Sequence, residues 1–179
     1  MTQPVEHEPL LPPDADPLLG PILSGLHACL CATLTAAERP VCSCCLTWGE
    51  RLPALDWCGC DCDGGHGQAW VRWIRRDPVA DLAGNRRTSR GCLSWRGRHV
   101  IELGVTRCVA VTAPDGQSAP DCQQRAAEFW GFLADARLLR EAVACCSALQ
   151  DVTVEPDTER PLGPQGGCAG VLLTITVEA

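Results

Sequence analysis

His99-Val100-Ile101-Glu102-Leu103-Gly104-Val105-Thr106-Arg107-Cys108-Val109-Ala110-Val111-Thr112-Ala113 is the stretch on which the fold turns. Ile101, Leu103, Val105, Val109 and Val111 recur at every second position, which places them on one face of an extended chain. Arg107 interrupts that face. A second run near the end has the same period: Val171, Leu173, Ile175 and Val177 alternate with Leu172, Thr174, Thr176 and Glu178. It reads as a half-buried strand that lies inside the sheet and closes the domain. Two shorter candidates precede these, residues 41–48 and 68–75, the latter carrying Trp70, Val71, Trp73 and Ile74.

Two helices frame the strands. Asp16-Pro17 is a helix start, a capping carboxylate followed by proline at the first helical position. Leu18, Leu19, Ile22, Leu23, Leu26, Leu30 and Leu34 then follow at helical spacing to about position 37. Ser118-Ala119-Pro120-Asp121 is a second start, a hydroxyl with an acid three residues on. From there Phe129, Phe132, Leu133, Ala136, Leu139, Ala142, Val143 and Cys146 lie near one stripe, which predicts a helix to about Leu149. Residues 152–155 read as a short strand. The glycine- and proline-punctuated segments 53–67, 77–90 and 156–167 read as loops, and 113–116 as a turn. The order helix, strands, helix, strand predicts an α+β fold: a mostly antiparallel or mixed sheet with two main helices packed on one face. Residues 1–15 read as a flexible arm and 16–179 as one domain.

Composition narrows the function. The 179 residues carry a net charge of -7, with no lysine and no tyrosine. Both missing residues have AT-rich codons, so their absence reports a GC-rich genome. An acidic chain lacks the basic face that displaces counterions from nucleic acid. An acidic lining would instead let DNA slide past without sticking. No stretch of about 18 or more uncharged apolar residues is found, so no membrane span is predicted, and the acidic, proline-containing start lacks the basic region and apolar run of a signal peptide. The expectation is a protein made in the cytoplasm.

Fourteen cysteines are unusual for such a protein. Burial as small apolar residues is one expectation; late oxidation of some pairs on leaving the cell is another. Cys58, Cys60, Cys62 and His66 have the ligand types of a zinc site, but a spacing of one residue splays the thiols along an extended chain. Asp61-Cys62-Asp63-Gly64 resembles the start of a calcium loop, whose closing acid is replaced by Arg72, so an Asp-Gly turn is the simpler reading. Cys145-Cys146, and Cys29 with Cys31, diverge around a helix and make poor local metal clips. No nucleophile elbow or phosphate loop is present, and His7, His27, His66 and His99 have no evident nucleophile to serve. The expectation is a non-enzyme with no cofactor and no metal.

Arginines concentrate in the middle of the chain at Arg72, Arg75, Arg76, Arg86, Arg87, Arg90, Arg96 and Arg98. They form either solvated loops or a patch that meets an acidic partner. Tryptophans outnumber phenylalanines, six to two, so some of Trp48, Trp57, Trp70, Trp73 and Trp95 are candidate interface anchors. Arg72, Arg75, Arg76, Trp57 and Trp70 are the residues expected at an interface.

Several short motifs occur in a telling order: the leucine-cysteine helix, Asp56-Trp57-Cys58, Gly67-Gln68-Ala69-Trp70-Val71-Arg72, Gly104-Val105-Thr106-Arg107-Cys108, Ala144-Cys145-Cys146, and Gly163-Pro164-Gln165-Gly166-Gly167-Cys168-Ala169-Gly170. In this order the chain, over residues 18–178, resembles the small neck proteins of actinobacterial siphophages, most closely their tail terminators. Cys42, Cys44, Cys45, Cys60 and Cys62 go beyond the family's pattern. The resemblance implies a sheet flanked by helices and a structural virion protein. It implies a homohexameric ring that caps the tail tube, contacts the tube protein and a neck stopper or adaptor, and lets DNA through without specific binding or membrane contact. Another neck component or a minor tail protein is the alternative within that class. A stopper is expected to be smaller and barrel-like, against which the long late helix argues. A cysteine-rich, zinc- or redox-active host protein is the alternative from another class.

Overall fold

The structure, a computed structural model, describes residues 16–49, 66–78, 97–112, 119–165 and 167–178. Helix α1 (Leu19–Ala36) leads into strands β1 (Ser43–Trp48), β2 (Gln68–Pro78) and β3 (Gly97–Cys108). Helix α2 (Cys122–Ala144) and a 3-10 turn (Ser147–Leu149) follow, then β4 (Thr153–Gln165) and β5 (Cys168–Glu178). The strands form one mixed sheet in the order β1-β2-β3-β5-β4. Only the β1–β2 pair is parallel. The terminal strand β5 therefore lies inside the sheet, between β3 and β4, as its alternation predicts.

Both helices pack on one face, giving the expected α+β fold. Leu19, Ile22, Leu26, Leu30 and Leu34 of α1 and Ala136, Leu138, Leu139 and Ala142 of α2 share a core with Val71, Ile101, Leu103, Val105, Leu173, Ile175 and Val177 of the sheet. Asp16 starts α1 as read: its Oδ1 accepts the backbone N–H groups of Leu18 and Leu19, each at 2.9 Å. These would otherwise be unsatisfied helix-end donors.

The opposite face carries Trp70, packed with Leu162 and Leu172. Gly104, paired with Trp70 across β2 and β3, makes room for the indole. A Cβ there would lie 2.2 Å from Trp70 Cζ2.

Four expectations are corrected. β3 ends at Cys108 rather than Ala113, because β2 begins opposite Thr106 and β5 begins opposite Cys108. The Val109 N–H still reaches the Gly167 carbonyl at 2.9 Å, but the ladder has ended and Val111 is exposed. Residues 156–165, read as loop, are strand: β4 runs through Pro156, Pro161 and Pro164. It is an edge strand whose register shifts near Pro156 and again between Leu162 and Gln165, and edges and bulges are where missing N–H donors are tolerated. Helix α2 ends at Ala144, five residues short of Leu149, and its cap is Asp121, whose Oδ1 accepts the Gln124 N–H at 2.7 Å. Finally, α1 is 18 residues of apolar, uncharged sequence, long and apolar enough to cross a membrane by length and composition, contrary to the reading that no such stretch exists. In this fold its leucine stripe is core.

The arm at 1–15, the loop at 53–65, the turn at 113–116, the capping Ser118 and most of the segment 77–90 lie outside the described residues. Asp77 and Pro78 themselves complete β2.

Candidate functional site

Arg107, which breaks the apolar face of β3, has a partner that explains it. Asp135 of α2 is fully buried, and Arg107 donates to both of its oxygens, Nη2 to Oδ1 at 3.0 Å and Nε to Oδ2 at 3.1 Å. Arg39, just beyond α1, grips the same carboxylate from Nε at 2.8 Å and from Nη2 at 2.9 Å. The remaining Arg107 donors reach the carbonyls of Pro40 (2.9 Å), Arg39 (2.8 Å) and His66. Burial pushes the Asp135 carboxyl up, but the two guanidiniums outweigh it and hold the group below the usual carboxylate range. One carboxylate thus ties α2, β3 and the α1–β1 connection together. The cluster is a clamp centred on a buried carboxylate, with Arg107 nearly buried and Arg39 partly exposed at its rim.

A second buried pair lies on the opposite face. Arg72 Nη2 is 2.8 Å from Glu102 Oε1, both side chains being 3% exposed, and the Trp70 indole N–H donates to the same oxygen at 3.2 Å. Two of the five expected interface residues, Arg72 and Trp70, are therefore enclosed within the chain's own fold and engage Glu102. Arg75 and Arg76 are exposed at the far end of β2, where Arg75 pairs with Asp77. Trp57 lies outside the described residues, as do Trp95, Arg86, Arg87, Arg90 and Arg96. Trp73 is half-buried against His99, with ring centroids 6.3 Å apart. Burial, then the nearby Arg76, pushes the His99 imidazole below its usual value, against the opposing pull of Asp16.

The surface with interface chemistry is elsewhere. The first half of α2 stands clear of the core. Phe129 is 54% exposed, Trp130 66% and Leu133 45%. Phe129 and Trp130 meet edge to face with centroids 5.4 Å apart, so the two rings form one aromatic surface. Trp48, at the end of edge strand β1, is 79% exposed. Phe129 and Leu133 satisfy the helical spacing of the apolar stripe, yet both are exposed, on the part of α2 that precedes its buried residues, Asp135, Ala136, Leu138, Leu139 and Ala142.

Most of the cysteines among the described residues are cross-linked. Cys29 bonds Cys146 and Cys31 bonds Cys44, so neighbouring cysteines of α1 staple it to the end of α2 and to β1. Cys42, Cys108 and Cys168 are disulfide-bonded as well. Among the described residues only Cys45, Cys122 and Cys145 are free thiols, all exposed. The expectation of isolated buried thiols is replaced by a disulfide framework. Cys58, Cys60, Cys62 and the Asp61–Gly64 turn lie outside the described residues. Among those described, one group has metal-ligand chemistry: His27, Cys31 and Cys44, whose ligand atoms all lie within 4.8 Å of one another. Sequence reasoning passed over it because Cys44 comes from another element, although His27 and Cys31 already stand one helical turn apart.

Comparison with protein-family models and with curated proteins finds no match to this chain.

Proposed function

We propose that this chain is a structural virion protein, a tail terminator that assembles as a homohexameric ring, caps the tail tube and joins it to the neck of the head. In this reading it performs no catalysis and needs no cofactor for its structural role, and DNA crosses the ring without specific binding. The ordered motifs between residues 18 and 178 point to this class, and the α+β architecture is the kind they imply. The observation that carries the reading is the exposed aromatic surface of α2. Exposed apolar patches on a folded chain mark interaction sites, and aromatic anchors dominate interface energetics. Ring closure by head-to-tail contacts needs two different patches on each subunit. Phe129, Trp130 and Leu133 supply one, and Trp48 on β1, an edge strand among the described residues, offers another.

The test is co-expression with the tail tube protein of the same genome, followed by electron microscopy. A ring at one end of each tube, lost in Trp130→Asp while the variant stays folded, supports the reading. Tubes of uncontrolled length with no bound ring oppose it.

A second reading, a cysteine-rich metal- or redox-active protein, is favoured by His27, Cys31 and Cys44. It predicts a chain that never joins a tail, whatever metal these residues carry under reducing conditions.

A further inference from the structure

We propose that His27, Cys31 and Cys44 form a zinc site in the reduced chain, and that oxidation converts it into the Cys31–Cys44 disulfide with release of the ion. The proposal rests on the side chains themselves and holds whether or not the chain forms a ring.

Geometry comes first. His27 and Cys31 are four residues apart on α1, so both project from one helical face toward β1. Cys44, on β1, faces them, and a nitrogen of His27 and both sulfurs lie within 4.8 Å of one another. In the oxidised chain these two sulfurs are bonded to each other; on reduction they need only part to about 3.8 Å to flank one ion at metal–sulfur distances of about 2.3 Å, with the imidazole nitrogen at about 2.0–2.1 Å. Two thiolates and an imidazole are a ligand set that selects zinc over hard cations. The imidazole is already oriented: its Nε2 lies 2.9 Å from the carbonyl oxygen of Cys44. With Nε2–H donating there, Nδ1 carries the lone pair. A backbone carbonyl holding the far ring nitrogen is the usual outer support of a metal-bound histidine. All three residues are half-buried, and water or a small thiol would supply the fourth ligand of a tetrahedral ion.

The redox chemistry balances. In the zinc-bound state Cys31 and Cys44 are thiolates. A small dialkyl disulfide is the oxidant: one thiolate attacks it, forms a mixed disulfide and expels one alkyl thiolate. The second thiolate then attacks the protein sulfur of that mixed disulfide and expels the other. The Cys31–Cys44 bond forms, the oxidant is reduced to two thiolates that take up two protons from water, and zinc leaves with its charge unchanged. Zinc in a reducing cell and a disulfide outside it thus make the same connection between α1 and the short edge strand β1.

The experiment maps alkylation of the full-length reduced chain by peptide mass spectrometry, with and without Zn2+. The proposal predicts that Zn2+ slows alkylation of Cys31 and Cys44 together, by about tenfold or more, and leaves Cys122 and Cys145 unchanged. His27→Gln retains an amide donor for the Cys44 carbonyl but is a poor zinc ligand; it should abolish protection at both sulfurs without altering the circular dichroism of the reduced chain. A dialkyl disulfide added to the zinc-loaded chain should release Zn2+ to a chelating dye as the Cys31–Cys44 peptide appears. Absence of Zn2+ protection in the wild type, including because reduction separates α1 from β1, overturns the proposal. So does equal protection in His27→Gln.

Discussion

Arg107 Nη2 and Asp135 Oδ1 lie 3.0 Å apart, and the carboxylate has no exposed surface. A strand residue that breaks an apolar face and a helix residue buried in a core stripe thereby explain each other. Asp135→Ala would leave Arg107, only 11% exposed, without its counter-charge. Removing one partner of a buried pair costs about 3–5 kcal/mol, so urea unfolding should show a loss of that order. Arg39→Ala should cost less, because Arg39 is about a third exposed and water can replace part of its role.

The same clamp sets a pH response. The Asp135 carboxyl is held below its ordinary value, and so is that of Asp16, by the N–H groups of Leu19 and Leu18. A carboxyl depressed on folding contributes stability that is complete above the unfolded pKa of about 3.9 and is lost as pH falls through the folded value. Stability should therefore decline with acid below about pH 4, and Asp135→Asn should flatten that decline from a lower starting point.

His99 adds an earlier step. Its imidazole is depressed by burial, so the folded chain favours the neutral form. Its contribution is complete above the unfolded pKa of about 6.5 and shrinks as pH drops below it. His99→Phe should remove this shallow slope while leaving the steeper acid decline, as read by melting temperature against pH.

Gly104 and Trp70 form a tight contact on the opposite face. A methyl group at 104 would meet the indole at 2.2 Å, and overpacking of this kind costs about 1–3 kcal/mol. Gly104→Ala should fall in that range. Trp70→Leu in the same chain should recover part of the loss, giving a double-mutant coupling that two independent defects would not show.

Much of the fold was legible because its signals are local. The leucines of α1 and the alternation of β3 and β5 follow from side-chain period alone. β4 was not legible, because Pro156, Pro161, Gly163 and Pro164 carry loop chemistry that an edge position permits. The disulfides were not legible, since pairing is a property of three-dimensional neighbours: Cys29 and Cys146 are 117 positions apart. Asp135 was half legible. Arg107 on an apolar strand face called for a buried acid, but nothing local said which one. Arg72 and Trp70 were misassigned to a surface because a strand reading does not reveal whether the face away from the helices is covered.

β5 is the keystone of the sheet, with Ile175 fully buried and Leu173 nearly so. Ile175→Asp or Leu173→Asp places a carboxylate in the core without a partner, which costs several kcal/mol. Each should yield an unfolded or insoluble chain, checked by circular dichroism of the soluble fraction. Folded and assembling variants at both positions would contradict the buried placement of β5.

The central claim is that this chain is a ring-forming structural subunit. Native mass spectrometry of the purified oxidised protein, with and without its tail tube protein, tests it most directly. The account predicts a hexamer, alone or on the tube, that reverts to folded monomers in Trp130→Asp. A wild-type chain that stays monomeric in both conditions would contradict it.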